Sequence, residues 1–380
     1  MIVSILKEIS KNENRIAATP QTIKELINKG LTVRVESGAG DLSFISDSDF
    51  KEAGAEICPN PSSAINGSDL IAKVNPPTDE EISLLSEGMI FISFLQTTKE
   101  LKIVSKLNEK KISGFSMHLI PRTTLAQSMD ALSSQANIAG YKAVLNGASH
   151  LPVYMPLLMT AAGTIPPAKV LIIGAGVAGL QAIATAKRLG AQVEAFDVRP
   201  EVKEQVESLG AKFVEVDSDS DDGVGEGGYA KETSEEYKKK QEQKMMEHIA
   251  KSDLVITTAL IPGRPAPILI PKTMVEKMKK GSVVIDLAAE NGGNCEMTQK
   301  DKVINHNGVI IDGSSNLPSE MQTHASQLYA KNVSTLISYM TNEGKIELDL
   351  EDEIVSGSMF IHQGKVTHEQ TQEALETNKG

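Results

Sequence analysis

Three glycines and an aspartate at fixed intervals are the residues of this 380-residue chain whose spacing most directly implies chemistry. Gly174, Gly176 and Gly179 lie in GAGVAG, a G-x-G-x-x-G arrangement that follows the apolar run 170–173 and opens a segment of helical periodicity. A second apolar run, 193–196, ends on Asp197. Gly174 permits the tight turn, Gly176 lets the backbone approach a pyrophosphate, and Gly179 allows the helix to pack close on the strand. The helix N-terminus, with Val177 and Ala178 in its first turn, offers N–H groups and the positive end of its dipole to phosphates. Asp197 can accept hydrogen bonds from the adenosine ribose, and its charge opposes a 2′-phosphate. A packing turn would account for the glycines alone, but not for strand, helix, second strand and terminal acid together. The stretch reads as a dinucleotide site that favours NAD over NADP. Arg199, two residues past the acid and separated from it by Val198, works against that preference, because an arginine there can accommodate a 2′-phosphate.

A second set of polar residues is Arg122, Gln127, Asp130 and Ser133. The last three recur at intervals of three, which places them along one side of a helix expected over 124–145. Spacing alone describes a solvated helix face. A third feature is the acidic, Gly-rich insertion 217–244, in which Gly223, Gly225, Gly227 and Gly228 surround Tyr229. It reads equally as a lid over the nucleotide or as an uninvolved loop. The seven histidines show no metal-ligand spacing, and no metal site is expected. His118 and His150, flanking the expected helix, are the two of interest.

The elements that must position these residues alternate between strand and helix. Strands are predicted at 3–7, 32–36, 70–74, 89–95 and 112–117, with a helix over 20–28 opened by Thr19 as N-cap and Pro20 at its first position. This half lacks a phosphate loop. After Pro121 come the helix 124–145 and a Pro- and Met-rich stretch, 151–169, suited either to a neighbouring subunit or to an ordinary buried connection. Six further strands, 170–173, 193–196, 212–216, 254–257, 283–287 and 309–312, with the fingerprint on the first, form the doubly wound pattern. A helix over 319–340 and strand-like runs at 346–350 and 359–361 follow, and the polar tail from 367 is expected to fray. The fold class is α/β: two Rossmann-like, doubly wound parallel-sheet domains joined by long helices. Their expected extents are 1–122 with 341–380, and 123–340.

Composition narrows the function. A formal net charge of -12 argues against nucleic acid and other polyanions. Two cysteines far apart, Cys58 and Cys295, fit a reducing compartment with no disulfide framework or structural zinc. The start lacks the apolar core of a signal peptide, and no run is long enough to span a membrane, so no direct membrane insertion is expected.

Several motifs in order, KEISKNENRIAATP at 7–20, AKVNPP at 72–77, GAGVAG and DLAAENGGN at 286–294, resemble the alanine dehydrogenase and nicotinamide nucleotide transhydrogenase family. PRTTLAQSMDALSSQANIAGY at 121–141 and GGYAKE at 227–232 are similar to its transhydrogenase branch, and a chain ending near 380 resembles the separate NAD(H)-binding subunit of three-subunit bacterial members. The resemblance implies that Arg122, Gln127, Asp130 and Ser133 position the nicotinamide. It also implies that Asp197, Val198 and Arg199 read the adenosine end, that Thr258, Ala259 and Leu260 line the cofactor, and that Gly228 and Tyr229 belong to a closing loop. Leu125 stands where some members carry a second arginine, which leaves Arg122 to serve alone. It implies NAD(H) as cofactor, and hydride transfer to NADP(H) on an NADP-binding beta subunit. It further implies a membrane-spanning subunit that moves protons, a homodimer, and a cytoplasmic location on the inner face of the bacterial membrane. The family's dehydrogenases use a lysine, a histidine and an aspartate where this chain has Lys73, Gln96 and Glu290. Glutamine cannot return a proton near neutral pH. That disfavours an amino-acid dehydrogenase of the alanine type, and Lys73 and Arg15 read as structural. A non-catalytic NAD(H) sensor is the other alternative.

Overall fold

The computed structural model describes residues 1–215, 235–261 and 264–378. The chain opens with β1 (Ile2–Ile5), β2 (Thr32–Glu36), β3 (Glu56–Cys58), β4 (Leu70–Ala72), β5 (Ile90–Ser93) and β6 (Ser113–Ser116). There follow β7 (Leu158–Thr160), β8 (Gly163–Ile165), β9 (Lys169–Ile173), β10 (Gln192–Phe196), β11 (Lys212–Phe213), β12 (Leu254–Thr257), β13 (Val283–Asp286), β14 (Val303–His306) and β15 (Val309–Asp312). The last stretch holds β16 (Thr341–Asn342), β17 (Lys345–Ile346), β18 (Met359–His362) and β19 (Lys365–Val366).

These strands form two large sheets. One runs β19-β18-β6-β5-β4-β1-β2-β3, with β1 to β6 parallel and β18 antiparallel to β6. The other runs β11-β10-β9-β12-β13-β15-β14, parallel except for β14. Leaving aside the antiparallel edge strands, each has the 3-2-1-4-5-6 order of a doubly wound fold. Strand periodicity explains the two cores on each sheet. In β4, Leu70 and Ala72 join one apolar cluster and Ile71 the other. In β9, Val170 and Ile172 face one cluster, Leu171 and Ile173 the opposite one.

The chain divides into one compact unit of residues 1–135 and 318–380, and another of residues 136–317. The expected extents therefore need correction. Residues 123–135 and 318–340 belong with the first unit, because Ala126, Met129, Ala131, Tyr329, Val333, Leu336, Ile337 and Met340 are packed into its core. The expected helix over 124–145 is also shifted: it runs Ala131–His150, preceded by a 3-10 turn at Gln127–Met129. Asp130 sets its start, accepting from the Ser133 backbone N–H at 2.9 Å and from Ser133 Oγ at 2.6 Å. The helix Pro20–Asn28 begins where expected, with Thr19 and Thr22 in a reciprocal capping box and Pro20 at its first position. The Pro- and Met-rich stretch contains the hairpin β7-β8, and the polar tail forms the helix Glu369–Thr377. Strands β3, β14 and β19 are too short or too polar for periodicity to reveal.

Candidate functional site

The Gly-rich turn sits between β9 and the helix Val177–Arg188, and each of its glycines has a different reason to lack a side chain. Gly174 has φ +98°, and a Cβ there would stand 2.4 Å from Thr258 Oγ1. A Cβ on Gly179 would stand 1.8 Å from the Gly174 carbonyl oxygen, so the close approach of helix to turn forbids one. Gly176 is different. Its φ of -77° and ψ of -167° suit any residue, and among the described residues a Cβ there would meet nothing within 4 Å. Among the described residues the space before it is open, and no side chain caps the helix N-terminus that it begins. Val177 is exposed, Ala178 half-buried. The turn is braced from behind by Gly140 on the helix Ala131–His150, where a Cβ would lie 2.0 Å from the Ala178 carbonyl oxygen. Nothing in the sequence singles out Gly140, since its partner lies 38 positions away.

Asp197 follows β10, and its side chain is 6% exposed. Its Oδ2 accepts from the Ala175 N–H at 2.7 Å, and its Oδ1 from the Arg199 N–H at 2.9 Å. Arg199 then returns over the carboxylate, with Nε 3.0 Å from Oδ1 and Nη2 2.9 Å from Oδ2. Burial pushes the Asp197 carboxyl upward, but Arg199 and the two backbone donors outweigh it and hold it below the usual range. Val198 packs against the core beside Phe196.

Thr258, Ala259 and Leu260 follow β12. Thr258 Oγ1 donates to the Gly174 carbonyl at 3.0 Å, tying the two loops together. Ala259 is held from both sides by Asn294: its N–H donates to Asn294 Oδ1 at 3.0 Å, and its carbonyl accepts from Nδ2 at 2.9 Å. Leu260 lies beyond them, 49% exposed. Asn294 is a site residue that the sequence does not mark on its own, although it closes the motif DLAAENGGN. Asp286 in the same motif folds that loop internally, accepting from Thr257 Oγ1, Thr298 Oγ1 and the Ala288 and Cys295 N–H groups. Gly228 and Tyr229 lie outside the described residues.

The polar set on the first unit is arranged differently from its expected helix face. Gln127 is in the 3-10 turn and exposed, as are Arg122 and Leu125. Among the described residues no ion pair joins Arg122 to Asp130; the aspartate is bonded to Ser133 instead. Asp130 is thus committed to a helix cap.

A buried polar cluster occupies the first unit near the C-terminal ends of β1 and β4. Lys73, 1% exposed, donates to Glu81 at 2.6 Å and lies 4.0 Å from Glu8. Arg15 grips both oxygens of Glu13, at 2.7 and 2.6 Å, and reaches Gln135 at 2.9 Å. Tyr329 donates to the Lys73 carbonyl at 2.8 Å. Burial lifts the Glu8 carboxyl to about 7 despite Lys73 and the Val74 N–H. Glu290, on the second unit, is exposed and lies 3.3 Å from Lys300. Burial holds His118 down to about 4, a neutral ring set edge-on to Phe94, while His150 pairs with Asp312 at 3.2 Å. Among the described residues no group of three His, Cys, Asp or Glu is placed to hold a metal.

Residues 4–139 match the family described as alanine dehydrogenase/PNT, N-terminal domain, and residues 143–369 match alanine dehydrogenase/PNT, C-terminal domain. A protein of Rhodospirillum rubrum, named as the first part of NAD(P) transhydrogenase subunit alpha, is 46% identical over 376 residues, which cover 97% of this chain and 98% of that one. Alanine dehydrogenase 2 of Staphylococcus aureus is 31% identical over 388 residues, covering 99% of this chain and 97% of the other. Among solved structures, a transhydrogenase from Sinorhizobium meliloti is similar with a TM-score of 0.87 at 45% identity, covering 96% of this chain and all of that one. The fold, the fingerprint and these likenesses agree: this chain belongs to the alanine dehydrogenase/PNT family.

Proposed function

We propose that this chain is the NAD(H)-binding subunit of a proton-translocating NAD(P) transhydrogenase, in which hydride passes directly between NAD(H) on this chain and NADP(H) on a partner. The observation that carries the cofactor assignment is Gly176. Neither its backbone angles nor any neighbour among the described residues requires a glycine there, and the room it leaves adjoins a helix N-terminus that none of their side chains caps, suited to a pyrophosphate. Gly174 and Gly179 hold the turn that aims those N–H groups, with Val177 and Ala178 in the cradle. Asp197, Val198 and Arg199 are assigned to the adenosine ribose, Thr258, Ala259 and Leu260 to the cofactor's flank. Because Asn294 takes the Ala259 N–H, that residue has no backbone donor left for the cofactor. Gly228 and Tyr229 complete the set through the resemblance alone.

Bound NADH would supply the hydride; the protein's role is to hold and orient it. Arg122, Gln127, Asp130 and Ser133 are assigned to the nicotinamide end. Gln127 offers a donor and an acceptor suited to a carboxamide, and Asp130 fixes the turn that presents it. Exchange of a hydride alone calls for no acid or base, in keeping with Gln96 where a dehydrogenase has its histidine.

The partners in this reading are an NADP-binding beta subunit and a membrane-spanning subunit, since the Rhodospirillum rubrum relative is named as a portion of a subunit. No helix among the described residues is long and apolar enough to cross a membrane, so proton movement is assigned to those partners. The chain is then peripheral, at the cytoplasmic face. A second copy of this chain is assigned to the hairpin β7-β8 and its approach, where Tyr154, Leu157, Met159 and Ile165 are all exposed.

The test is hydride transfer from NADH to NADP+ by the purified chain, with and without the NADP-binding partner. Activity is expected with the partner only, because one fingerprint gives one dinucleotide site per chain. Undiminished transfer by the chain alone would overturn the reading.

A further inference from the structure

We infer that Arg199 is a specificity-determining residue, a latch on Asp197 that NAD(H) must displace and that narrows the margin between NADH and NADPH. The inference rests on the cofactor reading of the GAGVAG turn. A carboxylate offers about four acceptor positions. In Asp197 the N–H groups of Ala175 and Arg199 fill one on each oxygen, at 2.7 and 2.9 Å. The guanidinium fills the other two, Nε at 3.0 Å and Nη2 at 2.9 Å. The two backbone donors belong to the turns that fix Asp197 and cannot leave without opening them. The guanidinium can, being on a flexible stem with its side chain 30% exposed. Two ribose hydroxyls that come to donate to this acid therefore need the very positions that Arg199 occupies.

The consequence differs between the two nucleotides. With NADH, displacement loses a bidentate ion pair and leaves the guanidinium no anion on the ribose in exchange. With NADPH, the displaced guanidinium stands near the 2′ position and can pair with the phosphate there. Arg199 thus weakens NADH binding and strengthens NADPH binding, against the discrimination that Asp197 provides. A residue that reads ambiguously in the sequence acts on both sides of the choice.

Calorimetric titration of the whole chain with NADH and with NADPH tests this, using wild type, Arg199→Ala and Arg199→Lys. Arg199→Ala is expected to bind NADH about fivefold more tightly and NADPH about fivefold more weakly, the fold-change of a partly exposed ion pair worth ~1 kcal/mol. Arg199→Lys, which keeps the charge but loses the fork, should fall between. Unchanged or weaker NADH binding by Arg199→Ala would overturn the latch, since the guanidinium would then hold NADH at least as much as it obstructs it. Saturable binding by the wild type would then leave the cofactor reading standing. Absence of NADH binding in wild type and variants alike would sink both. Should Arg199→Ala fail to fold, tighter NADH binding by Arg199→Lys supports the latch, and unchanged or weaker binding refutes it.

Discussion

Glu8 keeps a proton because its burial outweighs the pull of Lys73. Its carboxyl rises from 4.5 to about 7 although Lys73, itself bonded to Glu81, stands 4.0 Å away. A raised carboxyl adds stability that is fully present below pH 4.5 and is lost as pH climbs through about 7, since the folded chain binds the extra proton in that window. Glu8→Gln should flatten this dependence, so that urea midpoints of the variant change less between pH 5 and 8 than those of wild type. A variant with the wild-type slope would place the titration elsewhere. The glycines allow a sharper comparison. Gly176→Ala should leave the melting temperature nearly unchanged yet weaken NADH by about tenfold, because its methyl enters the phosphate space. Gly179→Ala should instead cost about 1–3 kcal/mol of stability, through the clash with Gly174. Calorimetry paired with thermal melts separates the two. These glycines are legible in the sequence because their spacing is local. Gly140 and Asn294 are not, as their partners at Ala178 and Ala259 are brought near only by the fold. The Asp197–Arg199 pair is visible as a sequence neighbourhood, but not as a filled carboxylate.

Among the elements, most strands of the two sheets are readable, since each is a short apolar run between turn residues. Besides the short or polar β3, β14 and β19, two elements are misread. The start of the helix Ala131–His150 reads too early because 124–130 has apolar residues at helical intervals; the true signal is Asp130 followed three positions later by Ser133. The hairpin β7-β8 escapes because prolines around it suggest a linker and its strands are only three residues long. That hairpin contributes nothing to either large core. Met159 is 76% exposed on it. If a second copy packs on this hairpin as proposed, replacing Met159 and Ile165 by aspartate should leave the chain monomeric in sedimentation, with thermal melting preserved. A dimer that survives both charges would move the interface elsewhere.

At the scale of the whole molecule, two nucleotide-type sheets carry one phosphate loop between them, and the sheet without it holds the Lys73 and Arg15 cluster. Both cations that could anchor a keto acid are closed by carboxylates of the chain itself, and Gln96 replaces the proton-transferring group. Pyruvate with ammonia should therefore fail to oxidise NADH measurably in a spectrophotometric assay, whereas robust turnover would restore the dehydrogenase reading. A different property of the molecule follows from how its sheets end. The outermost strands are β3 and β19 on one sheet and β11 and β14 on the other, from two to four residues long, and the longest ends in Asn305 and His306. Such stubs present too few free amides and carbonyls to recruit a strand from another molecule. Crowding many copies of the chain therefore brings side chains together without offering a template for fibril growth.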